Sequence, residues 1–173
     1  LAVHDLSIMD YVLHSRPCAV SALGMSHVDG KPENIAYLTL LFNSRMIAHI
    51  HVNWLAPAKV RRTLIGGSRK MIIYDDLEPS EKIKIYDKGI TIHKNAEKIY
   101  QTLIGYRTGD MWAPQLESTS ALDTETAHFV HCIENGKATM TDGHAGLRVV
   151  RILEAASRSM AHQGRLVELD ARA

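Results

Sequence analysis

The order of strand-like and helix-like segments is the feature that most constrains the fold of this chain. Two apolar runs, residues 34–42 and 45–55, are separated only by Asn43-Ser44, which predicts an antiparallel hairpin. Shorter strand-like runs continue to residue 92, and the longest helical patterns come only after residue 120. Because strands and helices do not alternate, the sequence predicts an α+β fold, a mainly antiparallel open sheet with helices packed on one face. The other apolar face then needs cover from another subunit or from a domain absent from this chain.

The middle of the chain is predicted to contain more hairpins. Residues 59–65 and 69–74 flank the turn Gly66-Gly67-Ser68, and residues 83–86 and 90–92 form a second hairpin-like unit. Residues 95–120 show weak periodicity, so we expect a long irregular excursion there. A short strand over residues 165–169 is predicted to close the fold.

Two helices in the last third of the chain have start and stop signals. The first is predicted from about residue 121 to 134, and the second continues to about residue 162. Polar residues precede each helix, and a glycine follows each one. These signals are Thr119 or Ser120 with Asn135-Gly136 for the first helix, and Thr141 or Asp142 with Gly164 for the second.

The first thirteen residues predict a further helix with two distinct faces. Apolar residues recur at helical spacing on one face, and polar residues occupy another. The apolar face contains Val3, Leu6, Met9 and Leu13, and the polar face contains His4, Ser7 and Tyr11. The pattern starts at once, without Met or a helix start signal, so we expect the sequence to be a fragment.

Length and composition favour one globular domain over residues 1–173 with a small-molecule partner. The 20 basic and 19 acidic residues are interspersed and give a net charge of +1, so no patch for nucleic acid or an anionic membrane is predicted. No apolar run approaches the roughly 20 residues of a membrane span. The two cysteines require no oxidising compartment, and we expect the protein to be cytoplasmic.

His4 and Asp5 are the first candidates for chemistry. An imidazole exchanges protons near neutral pH, and the adjacent carboxylate is suited to orient it or to hold substrate hydroxyls. The alternative is a structural role at the start of the helix.

Candidate substrate contacts come from two other segments. Lys59 and Arg61 place cations between two strands, where they are suited to a phosphate or a carboxylate, or else form a solvated strand edge. Tyr106 and Asp110 are suited to hydrogen-bond sugar hydroxyls, or are ordinary polar loop residues.

Other histidine and glycine patterns predict neither a metal nor a nucleotide site. His49 and His51 share one side of a strand, and His128 and His131 lie one helical turn apart, but neither pair has the further ligands that a metal needs. The turn at residues 66–68 lacks the G-x-G-x-x-G spacing of a dinucleotide-binding loop.

Several segments together resemble the C-terminal domain of the glucose-fructose oxidoreductase, inositol dehydrogenase and MocA (Gfo/Idh/MocA) family. The resemblance covers nearly the whole chain and starts in the opening helix. The other matching segments are NWLAPAKVRR (53–62), IIYDDLEPSEKIKIYDKG (72–89), YRTGD (106–110), ETAHFVHCIENG (125–136) and DGHAGLRVVRILEAASRS (142–159).

The resemblance implies an NAD(P)-dependent oxidoreductase whose N-terminal Rossmann domain is absent from this chain. Members have a D-x-x-x-H pattern at the start of this domain; residues 1–4 match its last four positions, which implies that His4 is catalytic. The family's Glu-Lys-Pro lysine would lie in the absent domain, so the fragment alone is expected to be inactive. The family also implies oligomer contacts through the open sheet, and residues 53–62 and 106–110 are similar to those of members acting on sugars or nucleotide sugars.

Two functional hypotheses follow from the sequence. In the first, the parent protein oxidises a secondary alcohol of a sugar, nucleotide sugar or cyclitol with NAD or NADP, and His4 accepts the hydroxyl proton. In the second, the chain is a non-catalytic sheet module for oligomerisation or small-ligand sensing.

Overall fold

The computed structural model describes residues 1–93, 103–107, 109–117 and 119–169. The chain divides into two compact units. The first unit combines Leu1–Pro57 with Thr124–Ala173, and the second is Ala58–Asp123.

The first unit is built on a four-stranded antiparallel sheet. Its strands are β1 (Pro17–Met25), β2 (Ile35–Phe42), β3 (Ile47–Asn53) and β10 (Val167–Glu168), in the order β10-β1-β2-β3. The predicted β2–β3 hairpin and the closing strand are both confirmed. The α+β fold class is confirmed as well, because helices pack on one face of this antiparallel sheet.

Alternation along the strands gives the sheet an inner and an outer face. On the inner face, Val20 and Ala22 of β1 lie opposite Leu40 and Leu38 of β2. These side chains form a core with the helices α1 (Val3–Leu13) and α3 (Gly143–Ala161). The alternation of apolar residues in the sequence therefore correctly indicates which strand residues form the inner face.

The outer face of the first sheet is the side turned away from α3. We define it by the residues that alternate with the core positions. They are Ala19, Ser21, Leu23 and Met25 of β1, Ile35, Tyr37, Thr39 and Leu41 of β2, and Ile47, His49, His51 and Asn53 of β3. Several of its large apolar side chains are exposed, among them Leu23, Met25 and Ile47.

The helix α1 buries a slightly different stripe from the predicted one. Leu6 is fully buried and Met9 and Leu13 pack against the core, but Val3 is 42% exposed and Ala2 is only 7% exposed. The spacing from Ala2 to Leu6 places both on one face of a helix, whereas Val3 is turned about 100° away. The predicted polar face is confirmed, since His4, Ser7 and Tyr11 are exposed.

The predicted ends of the other two helices are also confirmed. The helix α2 (Ala121–Glu134) is preceded by Ser120, whose hydroxyl accepts from the Asp123 N–H at 3.4 Å, and Gly136 follows with φ +60°. Asp142 caps α3 by accepting the Ala145 N–H at 2.9 Å, and Gly164 beyond the helix has φ +83°. A short polar side chain at the start of a helix accepts from backbone N–H groups that have no partner inside the helix. A glycine in the left-handed conformation beyond the end lets the chain satisfy the last backbone carbonyls.

The second unit contains a separate antiparallel sheet and a two-stranded ribbon. The sheet has the order β4-β5-β6-β9, and the ribbon pairs β7 with β8. The predicted pairing of the first two strands around residues 66–68 is confirmed. The bounds are β4 Arg62–Gly66, β5 Met71–Asp75, β6 Ile83–Tyr86, β7 Gly89–His93, β8 Leu103–Arg107 and β9 Met111–Trp112.

The predicted hairpin between residues 83–86 and 90–92 is wrong. β6 pairs with β5 and β9, while β7 pairs with β8. The Asp87 N–H donates to the Asp110 carbonyl at 2.8 Å, so the backbone continues the β6–β9 pairing past Tyr86 rather than folding back. The excursion predicted over residues 95–120 thus contains β8 and β9; its residues 95–102, 108 and 118 lie outside the described part of the chain.

Ser159 joins α3 to the sheet through a buried hydroxyl. The Ser159 side chain is 0% exposed, accepts the Ala22 N–H at 2.9 Å and donates to the Arg165 carbonyl at 2.6 Å. One hydroxyl therefore satisfies two backbone groups where the end of α3 crosses β1.

We predict that Ser159→Ala lowers the free energy of unfolding by about 1–3 kcal/mol, because it leaves a buried N–H and a carbonyl without a partner. Urea denaturation followed by circular dichroism measures the change. Ser157→Ala is the matched control, since Ser157 is exposed and its hydroxyl donates to the Leu153 carbonyl one turn back. Equal losses in the two variants would contradict the role given to Ser159.

A double-contact ion pair fastens α1 to α3. Arg148 Nη2 lies 2.8 Å from Asp10 Oδ2, and Arg148 Nε lies 3.1 Å from Asp10 Oδ1. The side chains are 27% and 16% exposed, so the pair is only partly screened by water. The carboxylate also raises the pKa of Arg148 above its ordinary value.

We predict that Arg148→Met, which keeps the apolar stem, lowers the free energy of unfolding by about 1–2 kcal/mol, between typical values for exposed and buried pairs. Asp10→Asn and the double variant complete a double-mutant cycle that isolates the pair. Arg151→Met removes an exposed arginine one turn further along α3 and should cost less than about 0.5 kcal/mol. A coupling energy near zero would show that the pair contributes nothing.

Candidate functional site

His4 lies in the first turn of α1 with its side chain exposed. The N-cap position of this helix is Ala2, which makes no side-chain capping bond. Asp5 is the next residue in the first turn and is also exposed. The positive N-terminal end of the helix dipole stabilises a negative charge at this position. Among the described residues, neither side chain has a hydrogen-bond or ion-pair partner, and both are exposed, so both are accessible to a ligand.

A groove of about 510 Å³ opens next to the start of α1. Its walls are largely apolar, with Leu1, Trp54 and Leu55 among them, and polar groups come from Lys31, Glu33 and Asn34. Leu1 directly precedes the N-cap residue Ala2, so α1, with His4 in its first turn, begins directly after a residue that lines the groove.

Trp54 is the most exposed of the large apolar residues that line the groove, at 72%. The Trp54 backbone N–H donates to the Asn34 carbonyl at 2.8 Å, which extends the β2–β3 pairing by one step beyond Asn53. The Asn53 side chain in turn accepts the Leu55 N–H at 2.8 Å. These bonds fix the backbone that presents the indole at the rim.

The sequence patterns did not predict this groove, because its walls come from three segments far apart in the chain. The available signal was Trp54 directly after an otherwise regular strand, where a large aromatic side chain has no core position to fill. An exposed indole beside a cavity is a common feature of ligand sites.

Lys59 and Arg61 lie in the second unit and are exposed. Arg61 Nη1 lies 3.4 Å from Asp76 Oδ2, and the Arg61 carbonyl accepts the Asp76 N–H at 3.0 Å. The Tyr74 hydroxyl donates to Asp76 at 2.9 Å, and this bond, with help from Arg61, lowers the pKa of the Asp76 carboxyl. Burial and the same carboxylate raise the pKa of Tyr74.

The neighbouring arginine is also paired with a carboxylate. Arg62 contacts Asp75 Oδ2 through Nη2 at 2.7 Å and Nε at 3.0 Å, which lowers the pKa of Asp75. An incoming anion would therefore compete with Asp75 and Asp76 for these two guanidinium groups. Lys59 has no ion pair recorded within the described residues.

The other two candidate substrate contacts also belong to the second unit. Tyr106 is in β8, opposite Ile90 of β7, and its side chain lies outside what the structure describes. Asp110 is exposed, and its carbonyl accepts the Asp87 N–H. His4 and Asp5 thus lie in the first turn of α1 in the first unit, close in sequence to the groove-lining Leu1, and the four candidate substrate residues are all in the second unit.

The remaining histidine pairs differ in their surroundings. The His128 Nε2 accepts the Met140 N–H at 3.3 Å and lies 3.6 Å from the Cys132 sulfur, which gives this imidazole a structural role. His49 and His51 are exposed on the outer face of the first sheet. In the described part of the chain, no three His, Cys, Asp or Glu side chains gather as a metal ion would require.

The glycine turn of the second unit does not match a dinucleotide-binding loop. Residues 66–68 connect two antiparallel strands, whereas such a loop leads from a strand into the N-terminus of a helix. The described residues therefore contain no fitting cradle for the phosphates of NAD at this turn. No helix among them has the length and apolar character to cross a membrane.

Solved structures with the same fold are oxidoreductases. UDP-N-acetylglucosamine 3-dehydrogenase GnnA from Acidithiobacillus ferrooxidans is 22% identical, with a TM-score of 0.73 over 93% of this chain and 46% of that chain. Aldose-aldose oxidoreductase from Caulobacter crescentus is 19% identical, with a TM-score of 0.73 over 97% of this chain and 46% of that one. At sequence identities of 19–22%, the structural similarity shows that this chain shares the fold of these proteins.

A third similar structure contains both a cofactor and a nucleotide sugar. WlbA dehydrogenase from Bordetella pertussis, in complex with NADH and UDP-GlcNAcA, is 14% identical, with a TM-score of 0.65 over 98% of this chain and 44% of that chain. The present chain spans about half the length of these structures. No curated protein matches it.

The sequence itself matches a family profile along nearly its whole length. The profile is described as the oxidoreductase family, C-terminal alpha/beta domain, and it matches residues 1–169. The sequence resemblance is confirmed: this chain belongs to the Gfo/Idh/MocA oxidoreductase family and corresponds to its C-terminal alpha/beta domain.

Proposed function

We propose that residues 1–173 form the C-terminal substrate-binding and oligomerisation domain of a cytoplasmic NAD(P)-dependent dehydrogenase. The substrate is a secondary alcohol of a sugar, a nucleotide sugar or a cyclitol. The observation that carries the proposal is the exposed His4 imidazole in the first turn of α1, three residues after the groove-lining Leu1, in a domain of an oxidoreductase family. An N-terminal Rossmann domain outside this chain holds NAD or NADP, and the chain alone is inactive.

His4 is proposed to accept the proton of the substrate hydroxyl. Oxidation of a secondary alcohol removes one proton and one hydride, and the nicotinamide supplies the hydride acceptor when it is bound. A neutral imidazole has one ring nitrogen with a free lone pair, which suits it to act as a general base near neutral pH. Asp5, the next residue in the same turn, orients the imidazole or holds a hydroxyl of the substrate.

The groove supports a ligand with both an apolar face and polar groups. A pyranose or cyclitol ring has C–H bonds on its faces, which pack on an indole such as Trp54, and hydroxyls at its edge. Lys31, Glu33 and Asn34 supply hydrogen-bonding groups at the same place. In the proposal, Lys59, Arg61, Tyr106 and Asp110 are further substrate contacts.

The outer face of the first sheet is proposed to bind a second copy of the chain. Its exposed side chains include Leu23, Met25, Tyr37 and Ile47, which makes the face more apolar than an ordinary solvated sheet. A symmetric dimer would place the same patch of both copies in contact and cover both at once. This face equally suits the alternative function, a non-catalytic sheet module for oligomerisation or small-ligand sensing, so enzymatic activity must decide between the two.

We predict that His4→Ala in the complete protein lowers kcat by about 10²-fold or more, because the hydroxyl proton loses its acceptor. A screen of UDP-sugars, aldoses and inositols with NAD and with NADP first identifies a substrate, and initial rates across pH 5–9 follow. The rate of the native protein should fall at acid pH, because an imidazolium cannot accept the proton, and the variant should lose this acid limb.

Ser7→Ala is the matched control for His4, since Ser7 is exposed on the same helix face one turn further on. The midpoint of urea unfolding should be the same for both variants as for the native protein, because neither side chain contributes to the core. Unchanged turnover in His4→Ala would remove this imidazole from the mechanism. A complete protein with no dehydrogenase activity on any of these substrates would favour the sheet module.

We also predict that this chain alone does not bind NAD or NADP appreciably, because its Gly66-Gly67-Ser68 turn joins antiparallel strands rather than leading from a strand into a helix. Isothermal titration with either nucleotide should give no saturable heat, whereas the complete protein should give a binding isotherm. A micromolar dissociation constant for the chain alone would contradict the assignment of cofactor binding to another domain.

A further inference from the structure

Three rings are stacked on the outer face of the first sheet. Tyr37 of β2 lies opposite His51 of β3, with ring centroids 4.4 Å apart and planes 4° from parallel. His49 is next along β3, with its ring 6.1 Å from that of Tyr37 and its Nδ1 3.4 Å from the Thr39 hydroxyl. All three rings belong to exposed residues.

The outer face that surrounds these imidazoles has almost no fixed charge. The outer-face positions of β1, β2 and β3 include no Asp, Glu, Lys or Arg. Tyr37 is the titratable group directly beside the imidazoles, and Glu168 of β10 lies opposite Ala19 at the far edge. Arg45 is in the β2–β3 turn, and the Glu33 side chain lies near Gly24 on the inner side of the sheet. The charge of this face is therefore set mainly by His49 and His51.

We propose that protonation of His49 and His51 weakens self-association through the outer face, so that the assembly of this protein is sensitive to pH. This inference rests on the proposed function, in which the face binds a second copy of the chain. It names the residues that regulate that contact.

The symmetry of a self-contact makes the effect large. In an isologous dimer each imidazole reaches a patch that contains the same two imidazoles, so protonation adds like charges on both sides of one interface. No carboxylate on β1, β2 or β3 is placed on the face to neutralise them. Burial also removes the water that solvates an imidazolium, and this penalty is absent from the separated copies.

The direction of the effect follows from proton linkage. The separated copies bind protons that the dimer must release, so the dimer dissociation constant rises as the pH falls below neutrality. Each histidine that must be neutral in the dimer adds to this rise, and a self-contact places two such histidines of each copy at one interface.

The test is sedimentation equilibrium of the native protein at pH 7.5 and 5.5 at constant ionic strength. We expect the dissociation constant to rise at least tenfold at the lower pH, with unchanged circular dichroism. The double variant His49→Gln with His51→Gln should associate equally at both pH values. His144→Gln, which removes an exposed histidine of α3 away from the outer face, should keep the native pH dependence.

A second double variant, His49→Phe with His51→Phe, keeps rings beside Tyr37 but cannot titrate, and it should also associate independently of pH. If both double variants are monomeric at pH 7.5 while the native protein associates, the imidazoles act as contacts and the proposal is wrong. Native association that is equally strong at both pH values overturns the pH dependence alone. A native protein that is monomeric at both pH values overturns self-association itself.

Discussion

The packing of α3 against the inner face of the first sheet is the interaction on which the rest of the first unit depends. Val20 and Leu40 are completely buried beneath this helix, together with Leu6 of α1. Burial of aliphatic side chains of this size contributes roughly 1.5–3 kcal/mol each. The same layer determines where α1 lies, because α1 reaches the core through Leu6 and is tied to α3 by the Asp10–Arg148 pair. His4 is held where it is because it belongs to that helix.

Local sequence signals predicted those parts of the fold whose cause is local. The β2–β3 hairpin follows from two apolar runs separated by two residues, and the ends of α2 and α3 follow from Ser120, Asp142 and the glycines beyond each helix. Residues 83–92 have the same local pattern as a hairpin, yet their strands take partners from residues 103–112. Nothing within a ten-residue window distinguishes these outcomes, since the choice of partner depends on backbone groups distant in sequence.

The candidate site was only partly predictable for a similar reason. Helical spacing placed His4 on the exposed face of α1, and the family resemblance proposed its chemistry. The groove beside it combines Leu1, the loop before β2 and Trp54, and only the folded sheet brings these segments together. In the second unit, Arg61 is exposed, and its pairing with Asp76, fifteen residues further along, was not predicted from the sequence. Each miss concerns a contact between distant segments.

The two faces of the first sheet are under different physical constraints. The inner face must be apolar to bury α1 and α3, whereas a solvated outer face would tolerate lysine and glutamate at every second position. The outer-face positions of β1 to β3 contain neither residue; instead they contain Leu23, Met25, Ile47 and a stack of Tyr37 with two imidazoles. An aliphatic surface without fixed charge associates readily, and histidine is the residue type that can add charge to it near neutral pH. The placement of both histidines on β3, an edge strand of this sheet, therefore links the charge of the outer face to the acidity of the surroundings without altering the core beneath it.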